Sequence, residues 1–253
     1  MVLIFFIGTA GSGKSFLTAS FNEWCKIEKQ KVSTVNLDPG VLNLPYVPDI
    51  DIRNYVDVHN IMKEYGLGPN GALILAADLI AEEAASLGGE IQDHQSDIVI
   101  VDTPGQMELF AFRASGLYIA NELTKDPKAI VYLFDAVFSH DPLNYVSNMF
   151  LSAAVYNRFF FPQLHLLSKC DLLPTETINH IVKWSSNAIA LEMDIEEKLS
   201  GTRRLLSRDI MQAIYGLGLQ FELLPVSGKN NHGMLEFNSA LQRIFVQGEE
   251  FTS

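Results

Sequence analysis

Cysteine is scarce. Only Cys25 and Cys170 occur in 253 residues. They stand far apart, with no metal-ligand spacing and no disulfide framework between them. That usage fits a reducing compartment and predicts a cytoplasmic protein. Long apolar runs are also missing, and none approaches the roughly 20 residues of a membrane span. Positive charge is in deficit, with 18 Lys and Arg against 30 Asp and Glu and a net charge of −12. This balance argues against broad binding to nucleic acid or to an anionic membrane. Met1 leads straight into an apolar stretch, so no signal peptide is expected. No internal repeat or low-complexity tract is visible.

Apolar residues, in contrast, make up 48% of the chain. That content and length suit one large α/β domain over residues 1–253. The first fifteen residues organise it. Val2 to Ile7 is an unbroken apolar run, followed at once by Gly8-Thr9-Ala10-Gly11-Ser12-Gly13-Lys14-Ser15. The octet satisfies G-x-x-x-x-G-K-[ST] with a strand before it and a helix after it. Glycines there let successive N–H groups converge on phosphate oxygens, and the helix adds its N-terminal dipole. Gly11, Ser12, Gly13 and Lys14 are therefore expected to bind phosphate. Lys14 can reach the terminal phosphates, and Ser15 can ligate Mg²⁺.

Three further strand ends carry chemistry. Val32 to Leu37 ends at Asp38-Pro39-Gly40, which sets Asp38 where open α/β sheets place ligands. Asp97 to Val101 ends at Asp102-Thr103-Pro104-Gly105-Gln106. A carboxylate there is expected beside Mg²⁺, and Gly105 can bring a backbone N–H to a terminal phosphate. Gln106 and Glu108 follow, where a side chain can orient an attacking water. Leu164 to Leu167 ends at Ser168-Lys169-Cys170-Asp171. Asp171 can accept from the ring N–H and exocyclic amine of guanine. Adenine lacks that donor pair, so the site would reject it. Lys169 can lie over the base. Val226-Ser227-Gly228-Lys229, after a strand over Gln220 to Leu224, resembles the last loop of GTPases, which contacts the guanine carbonyl through a backbone N–H.

Between these motifs the reading is structural. Ser15 to Gln30 is a helix whose stripe of Phe16, Leu17, Phe21, Trp24, Cys25 and Ile27 is expected in the core. Arg53 can reach a phosphate or pair at the surface with Asp49 or Asp57, and the sequence favours the surface pairing. Gly66 to Gly71 is a shaped loop. A helix from Ala72 to Leu87 is expected to stop at Gly88-Gly89. Met107 to Leu123 reads as one helix. Residues 43–95 form a loop and helical segment within the domain, and residues 175–217 a helical insertion. The last residues, Phe251 to Ser253, are expected to fray. The fold class is α/β, a three-layer phosphate-loop NTPase fold with a mostly parallel sheet flanked by helices.

Taken together, these motifs resemble the GPN-loop GTPases, of the dimeric SIMIBI branch of phosphate-loop proteins. The family's Gly-Pro-Asn tripeptide is here Gly68-Pro69-Asn70. The resemblance also covers Asn36 to Pro39, Pro48 to Arg53, Asp102 to Gln106 and Lys169-x-Asp171. It implies a homodimer that binds GTP and GDP with Mg²⁺, and a Gly-Pro-Asn loop that enters the partner subunit's active site. Gly68, Pro69 and Asn70 then join Lys14, Asp38, Asp102, Gln106 and Glu108 as catalytic residues, and Ser15, Asp38 and Asp102 arrange the metal. Thr9 stands where several SIMIBI relatives carry a second lysine, so a trans lysine is not available at that position. Ser168 fills a place where many GTPases have Asn. The chain lacks the long acidic tail of some eukaryotic members, which favours a simple homodimer.

The implied function is hydrolysis of GTP coupled to dimer conformation, in the assembly of protein complexes such as RNA polymerase. Partners would then be a second copy and the polymerase or its assembly factors, without direct contact to nucleic acid or membrane. Two other classes compete. One is an assembly scaffold that uses GTP as a structural ligand. The other is an ATP-using kinase of similar fold, against which Asp171 argues.

Overall fold

A computed structural model describes residues 1–216 and 222–250. Seven strands form a sheet in the order β3-β2-β4-β1-β5-β6-β7, flanked by helices. The chain divides into two compact units, Met1–Ile130 and Val131–Ser253.

The first unit begins with β1 (Val2–Gly8), the phosphate loop and α1 (Lys14–Ile27). Then come β2 (Val32–Asn36), a short β3 (Ile50–Asp51), α2 (Val58–Tyr65), α3 (Pro69–Glu82) and α4 (Ala84–Asp93). β4 (Ile98–Asp102) and α5 (Ala114–Glu122) follow. β4 pairs in parallel with both β1 and β2, and β2 with β3. The register sets Phe6 opposite Asp102 and Asn36 opposite Asp102, so the chemistry-bearing ends of β1, β2 and β4 lie side by side. Leu3 to Ile7 and Val99 to Val101 are buried. Such unbroken apolar runs are what parallel strands covered on both faces require.

The second unit takes up β5 (Lys128–Asp135) from Val131 onward. It continues with α6 (Ala136–Ser139), α7 (Pro142–Phe159) and β6 (Gln163–Ser168). The expected helical insertion resolves into α8 (Thr175–Ser186), α9 (Ala188–Lys198) and α10 (Gly201–Gly216). Asn187 separates the first two, capping α9 with its side chain on the Ala190 N–H at 3.1 Å. β7 (Leu223–Pro225) pairs in parallel with β6, and α11 (Met234–Glu250) closes the unit. Residue 217, Gln220 at the start of the expected last strand and Phe251 to Ser253 lie outside the described residues.

Three local expectations are corrected. In α1, Phe16 and Ile27 are 52% and 70% exposed, not core. The buried set is Lys14, Leu17, Thr18, Phe21, Asn22 and Cys25, which keeps strict helical spacing and draws three polar residues inward. Gly88-Gly89 does not stop a helix. The helix breaks earlier, at Glu83, and both glycines lie inside α4. A Cβ at Gly88 would sit 2.1 Å from the Leu123 carbonyl oxygen, so glycine there serves close packing rather than termination. Met107 to Leu123 is not one helix. A π turn spans Glu108–Phe112, and Arg113 is extended before α5 begins. From that extended position the Arg113 guanidinium reaches Asp78 on α3 at 2.8 Å.

Candidate functional site

In the first unit the phosphate loop is shaped by Gly11 and Gly13, at φ 77° and 92°, backbone that side-chain-bearing residues rarely adopt. Lys14 is buried, and its ammonium donates to the carbonyls of Gly8 at 2.9 Å, Thr9 at 3.2 Å and Gly105 at 3.4 Å. Burial lowers its pKa, against the opposing pull of Asp102 and Asp38. One side chain thus ties the phosphate loop to the segment after β4.

Asp38 makes a second tie. Its Oδ2 accepts the Gly105 N–H at 2.8 Å and its Oδ1 the Gly40 N–H at 2.9 Å. The Gly105 carbonyl thus meets Lys14 of the phosphate loop, while its N–H is directed at Asp38. Thr103 pins the same segment, donating its hydroxyl to the Phe6 carbonyl at 2.6 Å.

Asp102 is fully buried. Burial pushes its carboxyl up to about 6, while the Ser15 and Tyr46 hydroxyls and Lys14 favour the ionised form. Tyr46 donates to Oδ2 at 3.0 Å, and Oδ1 is left without a donor in hydrogen-bond geometry. An oxygen-only set of this kind suits Mg²⁺, which takes one or two carboxylates and keeps several waters. Among the described residues no group of three or more His, Cys, Asp or Glu could hold a metal, so a hydroxyl such as that of Ser15 would be needed.

Gln106 and Glu108 are exposed beside this cluster in sequence, Glu108 opening the π turn. Irregular helix of this kind recurs at functional sites. Gly68, Pro69 and Asn70 are exposed as well. They do not form a free loop. Gly68 caps α3 and Pro69 and Asn70 are its first helical residues, so the tripeptide is a helix start. Pro69 borders a cavity of about 530 Å³ with Pro39, Gly40 and Arg53. Asn70 makes no side-chain hydrogen bond among the described residues, and none to Lys14, Asp38 or Asp102.

The second unit holds the other expected residues. Lys169 adopts φ 62° and its ammonium pairs with Asp135 at 2.7 Å. Ser168 donates its hydroxyl to the Phe134 carbonyl at 3.2 Å. The Ser227 hydroxyl donates to Asp171 Oδ1 at 2.7 Å. The Ser227 N–H, expected to face a base, instead donates to the His232 carbonyl at 3.0 Å. Ser227 therefore orients Asp171 through its hydroxyl.

A family model described as "Conserved hypothetical ATP binding protein" matches residues 6–247. GPN-loop GTPase PAB0955 of Pyrococcus abyssi is 37% identical over 177 residues, covering 69% of this chain and 70% of its own length. GPN-loop GTPase 1 of Saccharomyces cerevisiae is 27% identical over 249 residues, which is 94% of this chain but 64% of the yeast protein. The chain thus spans less than two thirds of that longer relative. The structure of the P. abyssi GTPase in apo form superposes with a TM-score of 0.85 at 30% identity, covering 96% of this chain and 97% of that one.

The chain belongs to the GPN-loop GTPases.

Within this GPN-loop GTPase, three site neighbours escape sequence reading. Tyr46 lies in an irregular stretch between Pro45 and Pro48 and gives no local signal. Asp135 ends an apolar strand as Asp102 does, with Asp38 two residues past the end of its own, and that shared position is a usable clue. Arg53 is neither paired with Asp49 nor with Asp57. Asp49 accepts from the Thr34 N–H at 2.7 Å, and Asp57 caps α2. Arg53 is taken by Asp51, at 2.6 Å. Cys25 and Cys170 are inert by their surroundings, since burial pushes both thiols up to about 12.

Proposed function

We propose that this GPN-loop GTPase is a Mg²⁺-dependent homodimer that hydrolyses GTP to GDP and phosphate and couples nucleotide state to dimer arrangement. The supporting observation is the cluster in which Lys14, Asp38 and Gly105 hold one another at the ends of β1, β2 and β4. Hydrolysis needs a phosphate grip, a means of orienting water and a segment that responds to the terminal phosphate.

Lys14 and the loop amides Gly11, Ser12 and Gly13 bind the phosphates. Ser15, Asp102 and Asp38 are the residues that would hold Mg²⁺, which supplies charge neutralisation at the phosphates. Asp38 accepts hydrogen bonds and so can orient a water for in-line attack, with Gln106 and Glu108 as the next oxygens and amide available to it. The Gly105 N–H exchanges the Asp38 carboxylate for a phosphate oxygen, both being anionic acceptors. Asp171, steadied by Ser227, takes the two guanine donors, and Lys169 covers the base. Asn70, exposed and without a side-chain hydrogen bond among the described residues, is available to a second copy. With Gly68 and Pro69 it completes the partner's catalytic site, an isologous exchange under two-fold symmetry.

Assembly of complexes such as RNA polymerase, in the cytoplasm, is the cellular side of the same proposal. Among the described residues no helix is long and apolar enough to cross a membrane.

Phosphate release from GTP and from ATP, each with Mg²⁺, tests the reading against a Lys14→Ala control. Release from GTP at least tenfold above the control and above ATP supports it. Equal use of ATP, the ligand in the matching family's description, overturns the guanine assignment. A rise in Tm on adding GTP, with no release above the control, supports the scaffold reading instead.

A further inference from the structure

Arg53 is the member of the first unit whose side chain is most heavily engaged for no evident local reason. Its Nε donates to Asp51 Oδ1 at 3.0 Å and Oδ2 at 3.1 Å, and its Nη2 to Oδ2 at 2.6 Å. Its Nη1 donates to the carbonyls of Val41 at 3.1 Å and Leu42 at 3.5 Å. A pair between residues two apart could be a mere surface bond. Here it continues inward.

Asp51 Oδ1 also accepts from Asn36 Nδ2 at 2.9 Å. Asn36 is fully buried. It grips Asp38 by both backbone groups, donating from Nδ2 to the Asp38 carbonyl at 3.2 Å and accepting the Asp38 N–H at 3.0 Å. The Asp38 carboxylate then holds Gly105 at 2.8 Å. An unbroken chain runs Arg53, Asp51, Asn36, Asp38, Gly105. Arg53 meets the 38–42 turn again from its far end, through Val41 and Leu42. The turn that carries Asp38 is therefore clamped at both ends by groups that converge on one carboxylate.

From this geometry we infer that Arg53, acting through Asp51 and Asn36, is a positioning residue for Asp38. It touches no reacting group. It fixes where the Asp38 carboxylate stands relative to Gly105, and so how the two separate when a phosphate oxygen replaces the carboxylate. The guanidinium fork is the essential part. It meets two carboxylate oxygens and two carbonyls at once, and an ammonium cannot. This inference rests on the role given above to Asp38.

Steady-state GTP hydrolysis and nucleotide affinity are compared for wild type, Arg53→Met, Arg53→Lys, Asp38→Asn and the Arg53→Met/Asp38→Asn double variant. Arg53→Met is expected to lower kcat by roughly 10- to 100-fold, the scale of a displaced catalytic group. GDP affinity should stay within about threefold, since Lys14 meets the chain only at its last member and is also held by the Gly8 and Thr9 carbonyls, and the loop amides lie outside it. Arg53→Lys is expected to recover only part of kcat. In the Asp38→Asn background, Arg53→Met should cost little more, because residues acting as a unit are not additive.

If Asp38→Asn abolishes turnover while Arg53→Met leaves it intact, the inference fails and the role of Asp38 stands. The same holds if the two losses multiply. If Asp38→Asn itself leaves kcat unchanged, the reading beneath the inference fails. If Arg53→Met does not fold, Arg53→Lys carries the test, and full wild-type kcat in that variant overturns the claim for the fork.

Discussion

The Tyr46 hydroxyl donates to Oδ2 of the fully buried Asp102 at 3.0 Å. Burial holds the phenol protonated well beyond its usual range, so it serves as a fixed donor. It meets a carboxylate whose own pKa is pushed up to about 6 by burial. The pair holds a buried charge at a cost in stability. A carboxylate is kept out of water with a single phenol donor on one oxygen and no donor in hydrogen-bond geometry on the other.

Asp102→Asn is therefore expected to stabilise the protein while abolishing hydrolysis. By pH 7 and above the carboxyl is mostly ionised in the folded and unfolded chain alike, and the folded one bears the cost of burial. The rise from 3.8 to about 6 sets a ceiling of about 3 kcal/mol on that cost. Denaturant melts at pH 7 in EDTA without nucleotide should show the variant more stable by about 1–3 kcal/mol. A less stable variant would contradict the reading of Asp102 as a strained functional group.

His165 sets an acid limit. It is wholly buried on β6, and burial lowers its pKa to about 3. In the unfolded chain it titrates near 6.5. Its folded pKa is depressed, so its contribution is complete above pH 6.5 and is lost as pH falls toward 3, with a ceiling of about 5 kcal/mol. His165→Gln should flatten stability against pH across that window, read from Tm at half-unit steps. An unchanged acid limb would assign the sensitivity elsewhere.

The base-reading half predicts graded losses. Asp171→Asn puts an amide donor where guanine presents donors, and GTP affinity should fall at least 100-fold, in line with a mismatched polar site. Ser227→Ala removes the hydroxyl that steadies Asp171 at 2.7 Å. Its loss should be about tenfold, the scale of one hydrogen bond to a charged group. Fluorescent-nucleotide titration separates the two. Equal, small losses would mean that Asp171 does not touch the base.

Two adjacent glycines in α4 should respond in opposite directions. Gly88→Ala drives a Cβ into the Leu123 carbonyl and should destabilise by more than about 2 kcal/mol through overpacking. Gly89 faces open space, and Gly89→Ala should stabilise by about 0.5–1 kcal/mol through helix propensity. Urea midpoints of the two variants measure both.

That pair also marks where sequence reading stopped. The phosphate loop, the Asp102 segment and Lys169-x-Asp171 were legible because each is a short motif at the end of an apolar strand. Gly88-Gly89 looked like a helix stop because termination is the commoner use of glycine, and only the fold brings Leu123 against it. Arg53 had three aspartates within reach. Which one it takes depends on Asp49 being committed to Thr34 and Asp57 to the α2 cap. Tyr46 meets Asp102 across 56 residues of chain, through a stretch without periodicity, and nothing local could reveal it. Contacts made through irregular backbone are the ones that pattern reading loses.

The central claim is that one chain does not contain the whole active site. Mixing Lys14→Ala and Asn70→Ala proteins, each purified alone and then allowed to exchange subunits, tests it directly. A mixed dimer holds one site with an intact phosphate loop and the partner's intact Asn70. Random exchange makes half the dimers mixed, with one complete site in two, so turnover should reach about a quarter of wild type. Turnover no higher than the sum of the two proteins measured separately, with exchange verified, would contradict completion of the site by a second copy.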